Sequence, residues 1–196
     1  IHIADEVPSN VLSLCDMDPC YNYSVIKEAL ILIDKSYEEY PEGFFDQLTY
    51  GAVREFHVYI SGSGNAAAFT NFSNTSRYRF ICYDAYSITY YPETIDHEIS
   101  HCIEQAVIFN NPGSLTEEAW SELNPEGFKY LDSYGEITNY DEYSDYFISD
   151  YSMTFIEEDR AELFETAMLY YWEYQGYAID LPEPIENKMT YYFQAI

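Results

Sequence analysis

Two histidines and a glutamate fall at the spacing of a metal-activated hydrolase in the stretch His97-Glu98-Ile99-Ser100-His101. On a helix, residues i and i+4 lie one above the other on the same face. Both imidazoles can therefore meet one tetrahedral ion while Glu98 stands beside it as a proton acceptor. A hydrolytic zinc site takes three protein ligands and keeps one position for water. The motif thus sets two conditions on the rest of the chain: it must lie inside a helix, and a third ligand must come from elsewhere.

Local signals meet the first condition. Pro92-Glu93-Thr94 puts proline and acid where a helix begins, and Asn110-Asn111-Pro112-Gly113 ends it, so the motif falls well inside one helix of ordinary length. Glu104 follows on nearly the same face, but a continuous helix carries it about 4.5 Å further along the axis than His101, beyond the ion. The glycine turn and third histidine of a metzincin are missing, because residues 102–107 read as continuing helix. Cys102 points about 100° away from His101 and reads as core or disulfide. His57 lies in a strand-like run and reads as a packed histidine outside the site.

The third ligand is sought on a second strong helix that begins near Ile156, with Glu157, Glu158 and Asp159 in its first turn, where the helix dipole favours acids. Glu158 and Glu162 are four apart and share a face, so one can bind metal while the other supports. A ligating imidazole donates its second N–H to a carboxylate, which fixes its tautomer. We assign Glu158 as the metal ligand and Glu162 as the supporting carboxylate.

The remaining elements must position these groups. With 196 residues, 47% of them hydrophobic, the chain can bury one core. A single domain over 1–196 is expected, with a helix and sheet in 1–92 and a mainly helical part carrying the metal ligands in 93–196. A helix capped by Ser24 runs toward Pro41; strands follow at 55–60 and 78–83, then a short helix at 115–123 and a terminal helix at 185–196. Residues 124–150 read as loop, and their acids do not have the spacing of an EF-hand.

Charge and cysteines narrow the partners. Thirty-five acidic residues against 8 basic ones give a net charge of −27, which repels nucleic acid and anionic membrane surfaces and suits a basic peptide. No run approaches the ~18 apolar residues of a membrane span, and residues 1–8 carry no signal core. The first residue is Ile rather than Met, which reads as a processed form or a domain of something longer. The four cysteines form no CxxC pair, and for an exported chain the preferred disulfides are Cys15 with Cys20 and Cys82 with Cys102. A monomer, outside the cell or on its surface, is expected.

The segment Tyr151-Ser-Met-Thr-Phe-Ile-Glu-Glu158-Asp-Arg-Ala-Glu162-Leu-Phe164 resembles the ligand helix of gluzincin zinc metallopeptidases, in particular anthrax-lethal-factor-like zincin catalytic domains. In that family a tyrosine and a short loop with a threonine precede the metal glutamate, within E-x-x-A-E. The passage from Trp120 to Tyr130 also looks like one found between the two helices of such bacterial peptidases. Arg160 departs from the pattern, since the family often has an aromatic or apolar residue there.

The resemblance, over about residues 94–167, implies an α+β zincin-like fold. Its small twisted sheet covers the active-site helix, a second helix bears a ligand, and an edge strand aligns an extended substrate. It further implies a zinc metalloendopeptidase with Glu98 as general base and Tyr151 stabilising the oxyanion. The rival readings are an inactive zinc-containing binding domain, secreted or on a cell surface, and a metal-free acidic interaction domain. The intact Glu98 weighs against the first, because a binding relic needs no base.

Overall fold

Runs rich in Val, Ile, Phe and Tyr supply the two long strands of a small sheet in this computed structural model, which describes residues 1–71, 76–173 and 180–196. The strands are β1 (His2–Ile3), β2 (Glu55–Ser61), β3 (Ala68–Thr70) and β4 (Tyr78–Asp84), in the order β1-β2-β4-β3. β1, β2 and β4 run parallel, with Val58 opposite Ile81 and Tyr59 opposite Cys82, while β3 is antiparallel at the edge. Burial does not alternate along β4. Every residue from Arg79 to Asp84 is buried, the pattern of a parallel strand covered on both faces. The Arg79 guanidinium is accommodated there by the Asn71 carbonyl and the Tyr50 hydroxyl, and lies 5.3 Å from the Tyr50 ring centroid.

The helices are α1 (Ser9–Leu12), α2 (Tyr23–Tyr37), α3 (Phe44–Gln47), α4 (Ala85–Tyr90), α5 (Thr94–Asn110), α6 (Glu117–Ser121), α7 (Tyr140–Tyr143), α8 (Ile156–Glu173) and α9 (Glu183–Ala195). The cap of α2 is Asn22, two residues before the expected Ser24. Its Oδ1 accepts from the backbone N–H of Ser24 at 3.2 Å and of Val25 at 3.5 Å, satisfying donors that the first turn leaves open. Ile26, Ala29, Ile33 and Ser36 form the buried stripe of that helix. Val7, Val11, Leu12 and Met17 close a core against Tyr59, Phe80 and Cys82 of the sheet.

The chain divides into two compact units, Ile1–Cys102 and Ile103–Ile196, with the boundary inside α5 just after Cys102. The first holds the sheet; the second is helical among its described residues. At the centre of the second, Asp159 Oδ2 accepts hydrogen bonds from Trp120 Nε1 at 2.9 Å, Tyr130 OH at 2.7 Å and Lys188 Nζ at 2.8 Å. Asp159, Trp120 and Lys188 have no exposure. Lys188 also donates to the Tyr146 carbonyl at 2.8 Å and stands 3.7 Å from the Phe147 ring centroid. No helix of the described residues is long and apolar enough to cross a membrane.

The expected disulfides are not formed: all four cysteines are free thiols. Sequence spacing could not supply the Cβ geometry that a bridge demands. Cys102 instead shares a 3.4 Å hydrogen bond with Thr70 Oγ1, and Cys82 packs inside the sheet core. Burial pushes both thiols up to about 12, which removes the reactive thiolate at neutral pH. Thiol titration without reductant is expected to find four reactive groups in denaturant and none at Cys82 or Cys102 in the native protein. A count of two or fewer in denaturant would restore the disulfides.

Candidate metal centre

The motif helix is anchored before its chemistry begins. Asp96, in the first turn of α5, accepts hydrogen bonds from Ser36 Oγ at 2.9 Å and Tyr40 OH at 2.8 Å, which tie it to α2 and the segment after it. The Tyr83 hydroxyl, on the last turn of β4, donates to the Ile95 carbonyl at 3.5 Å and contacts Tyr37 OH at 3.3 Å. The Thr70–Cys102 bond fixes α5 against the edge strand β3 one residue beyond His101. These contacts leave α5 little freedom to rotate, so the face it presents is set by packing.

That face carries His97, Glu98 and His101, which are 8%, 6% and 4% exposed. Their candidate ligand atoms all lie within 4.8 Å of one another, and the two imidazole centroids are 5.0 Å apart at 81°. A tetrahedral zinc ion with Zn–N near 2.0–2.1 Å requires nitrogens about 3.4 Å apart, within the reach of this cluster. Ile99, Ser100 and Cys102 between and beside them have no exposure, so the polar groups sit in a water-poor wall. Burial first, and then the Glu98 carboxylate, raises the Cys15 thiol above its ordinary value. The group could hold a metal ion.

The other residues singled out from the sequence lie in the second unit. Glu158 is buried in the first turn of α8 and accepts a hydrogen bond from Tyr134 OH at 2.8 Å. Tyr151 opens a single 3-10 turn, Tyr151–Met153, is 39% exposed, and stacks on Tyr134 with centroids 6.0 Å apart at 13°. Glu162 accepts from Ser149 Oγ at 2.6 Å and from Ser152 Oγ, residues on either side of Tyr151. Its carboxylate thereby holds the turn that presents Tyr151.

Arg160, where the resemblance departs, is 1% exposed and forms an ion pair with Glu104 of α5, itself 3% exposed. It also donates to the Thr116 carbonyl at 3.3 Å and lies 4.9 Å from the Trp120 ring centroid. Glu104, set aside as a ligand on axial grounds, is thus engaged by a guanidinium. The remaining sequence-level candidate for exclusion, His57, stacks on His2 at 5.0 Å and bonds its ring nitrogen at 2.9 Å.

Sequence reasoning did not single out Tyr134, the Asp96 anchors or the Asp159–Lys188 pair. One signal was available for the last. Basic residues are scarce in this chain, so a lysine on the apolar face of a terminal helix is costly unless a carboxylate meets it inside. Comparison with protein-family models, with curated proteins and with solved structures finds no match to this chain. Function is therefore argued from the site alone.

Proposed function

We propose that this chain is a zinc-dependent endopeptidase of the gluzincin type, on a zincin-like α+β fold. The observation that supports it most is the buried triad on one helical face, two imidazoles and a carboxylate with ligand atoms within 4.8 Å. His97 and His101 hold the metal, and the sequence pattern assigns Glu158 as the third ligand. Bound zinc supplies a water acidified to a pKa of roughly 7 and positive charge for a developing oxyanion.

The rest of the chemistry belongs to side chains. Glu98 accepts a proton as the water attacks the peptide carbonyl and passes it to the leaving amine. The Tyr151 hydroxyl, on a partly exposed side chain, donates to the oxyanion as it forms. An extended peptide is aligned by adding to the antiparallel edge strand β3, which Thr70 joins to α5. The acidic surface favours basic peptides.

Metal analysis and digestion of a basic peptide library test the reading. Protein purified without chelator is expected to carry about one zinc per chain; stripping the metal should stop cleavage, and zinc should restore it. Less than about one-tenth of a zinc per chain would defeat the proposal in favour of an acidic interaction domain.

A further inference from the structure

We propose that Lys188 and Asp159 condense to an intramolecular amide, a covalent cross-link between α9 and α8. The link lies wholly within the second unit and is independent of the zinc chemistry. Lys188 Nζ stands 2.8 Å from Asp159 Oδ2, and neither side chain has any exposure. The nitrogen is 3.7 Å from the Phe147 ring centroid and 5.9 Å from that of Trp120, so the pair sits against aromatic faces rather than water. Such surroundings penalise two charges more than a neutral amine and acid. Burial accordingly holds Lys188 below the usual lysine range. A desolvated, uncharged lysine amine is a nucleophile.

Hydrogen bonding distinguishes the two carboxyl oxygens. Oδ2 accepts from Trp120 Nε1 at 2.9 Å and Tyr130 OH at 2.7 Å, whereas Oδ1, also buried, has no hydrogen-bond partner. Asn124 Nδ2 donates to the Tyr130 oxygen at 3.0 Å, which keeps the phenolic proton aimed at Asp159. Condensation uses this asymmetry. One ammonium proton passes to Oδ1, leaving an amine and a carboxylic acid. The Nζ lone pair attacks Cγ while the carbonyl π pair moves onto Oδ2, where the Trp120 and Tyr130 donors stabilise the oxyanion. A second proton passes from nitrogen to Oδ1, the pair on Oδ2 re-forms the carbonyl, and the Cγ–Oδ1 bond breaks to release water. Fixed contact supplies the effective concentration that a free amine and acid lack. The product meets partners already in place. Its carbonyl keeps Trp120 and Tyr130, and its N–H keeps the Tyr146 carbonyl, 2.8 Å from Nζ. An ion pair alone leaves Oδ1 buried and unmet, and the amide removes that oxygen.

Mass spectrometry of the purified chain, folded and then denatured, is expected to read about 18 Da, one water, below the mass its sequence requires. Tryptic digestion should then yield residues 130–160 joined to 161–196, because an acylated Lys188 is no longer a cleavage site. Lys188→Arg keeps a cation but offers no amine nucleophile, and is expected at its full sequence mass. A folded wild-type chain at its full sequence mass overturns the proposal, whether or not the variant folds. Loss of one water with 130–160 and 161–188 recovered as separate peptides also overturns it, because the water then came from elsewhere.

Discussion

Glu98→Gln is expected to retain about one zinc per chain while peptide cleavage falls at least 100-fold, the usual range for removing a general base being about 10²–10⁴. The amide has the size of the carboxylate but cannot accept the proton of the attacking water. His97 and His101 keep their places, because α5 is held by Asp96 and by the Thr70–Cys102 contact rather than by Glu98. The substitution also replaces a buried carboxylate, 6% exposed, by a neutral group, so folding should not suffer. Kinetics and metal content measured on the same sample separate the roles. Activity within tenfold of wild type would remove Glu98 as the base, and loss of zinc would make it a ligand.

The second large effect concerns stability. Glu104→Ala leaves the Arg160 guanidinium without its carboxylate at a site 1% exposed, and breaking a buried pair from one side typically costs about 3–5 kcal/mol. Against a total stability of about 5–15 kcal/mol, this is a large fraction. Replacing both partners, Glu104→Leu with Arg160→Met, should recover most of the loss, because neither charge then needs a partner. Urea denaturation of the three proteins decides the matter. A single variant within about 1 kcal/mol of wild type would mean that Arg160 finds water or another acceptor. Because the pair joins α5 to the first turns of α8, the single variant also loosens the setting of Glu158.

Local signals carried the elements on which the chemistry depends. Pro92 and the 110–113 stop bracket α5 as observed, Thr94–Asn110, and the acidic first turn places the start of α8 at Ile156. The two long strands begin where their β-branched and aromatic runs begin and extend one residue further. Two or three residues are too few for alternation to register, so β1 and β3 left no pattern to read. Asn22 and Ser24 are both cap formers within one turn, and only the folded chain decides between them.

The site divides in the same way. The i, i+4 geometry of His97 and His101 follows from the helix, and their cluster forms as that geometry requires. Tyr134 stood in a chain with 23 tyrosines, where its type gave no contrast. Charged side chains usually face solvent, but Arg160 and Lys188 each meet a carboxylate distant in sequence, Glu104 and Asp159. No local window spans 56 or 29 residues, so pairs of this kind are invisible until the helices are packed.

The inward placement of Arg79, Arg160 and Lys188 has a consequence for how the folded chain meets proteases. Enzymes that cut after lysine or arginine find exposed targets at Lys27, Lys35, Arg54, Arg77 and Lys129. Beyond Lys129 the chain offers them only Arg160 and Lys188, both locked in carboxylate contacts. Tryptic scission in that stretch requires the second unit to open, so its rate measures the population of opened molecules whenever reclosing outpaces cleavage.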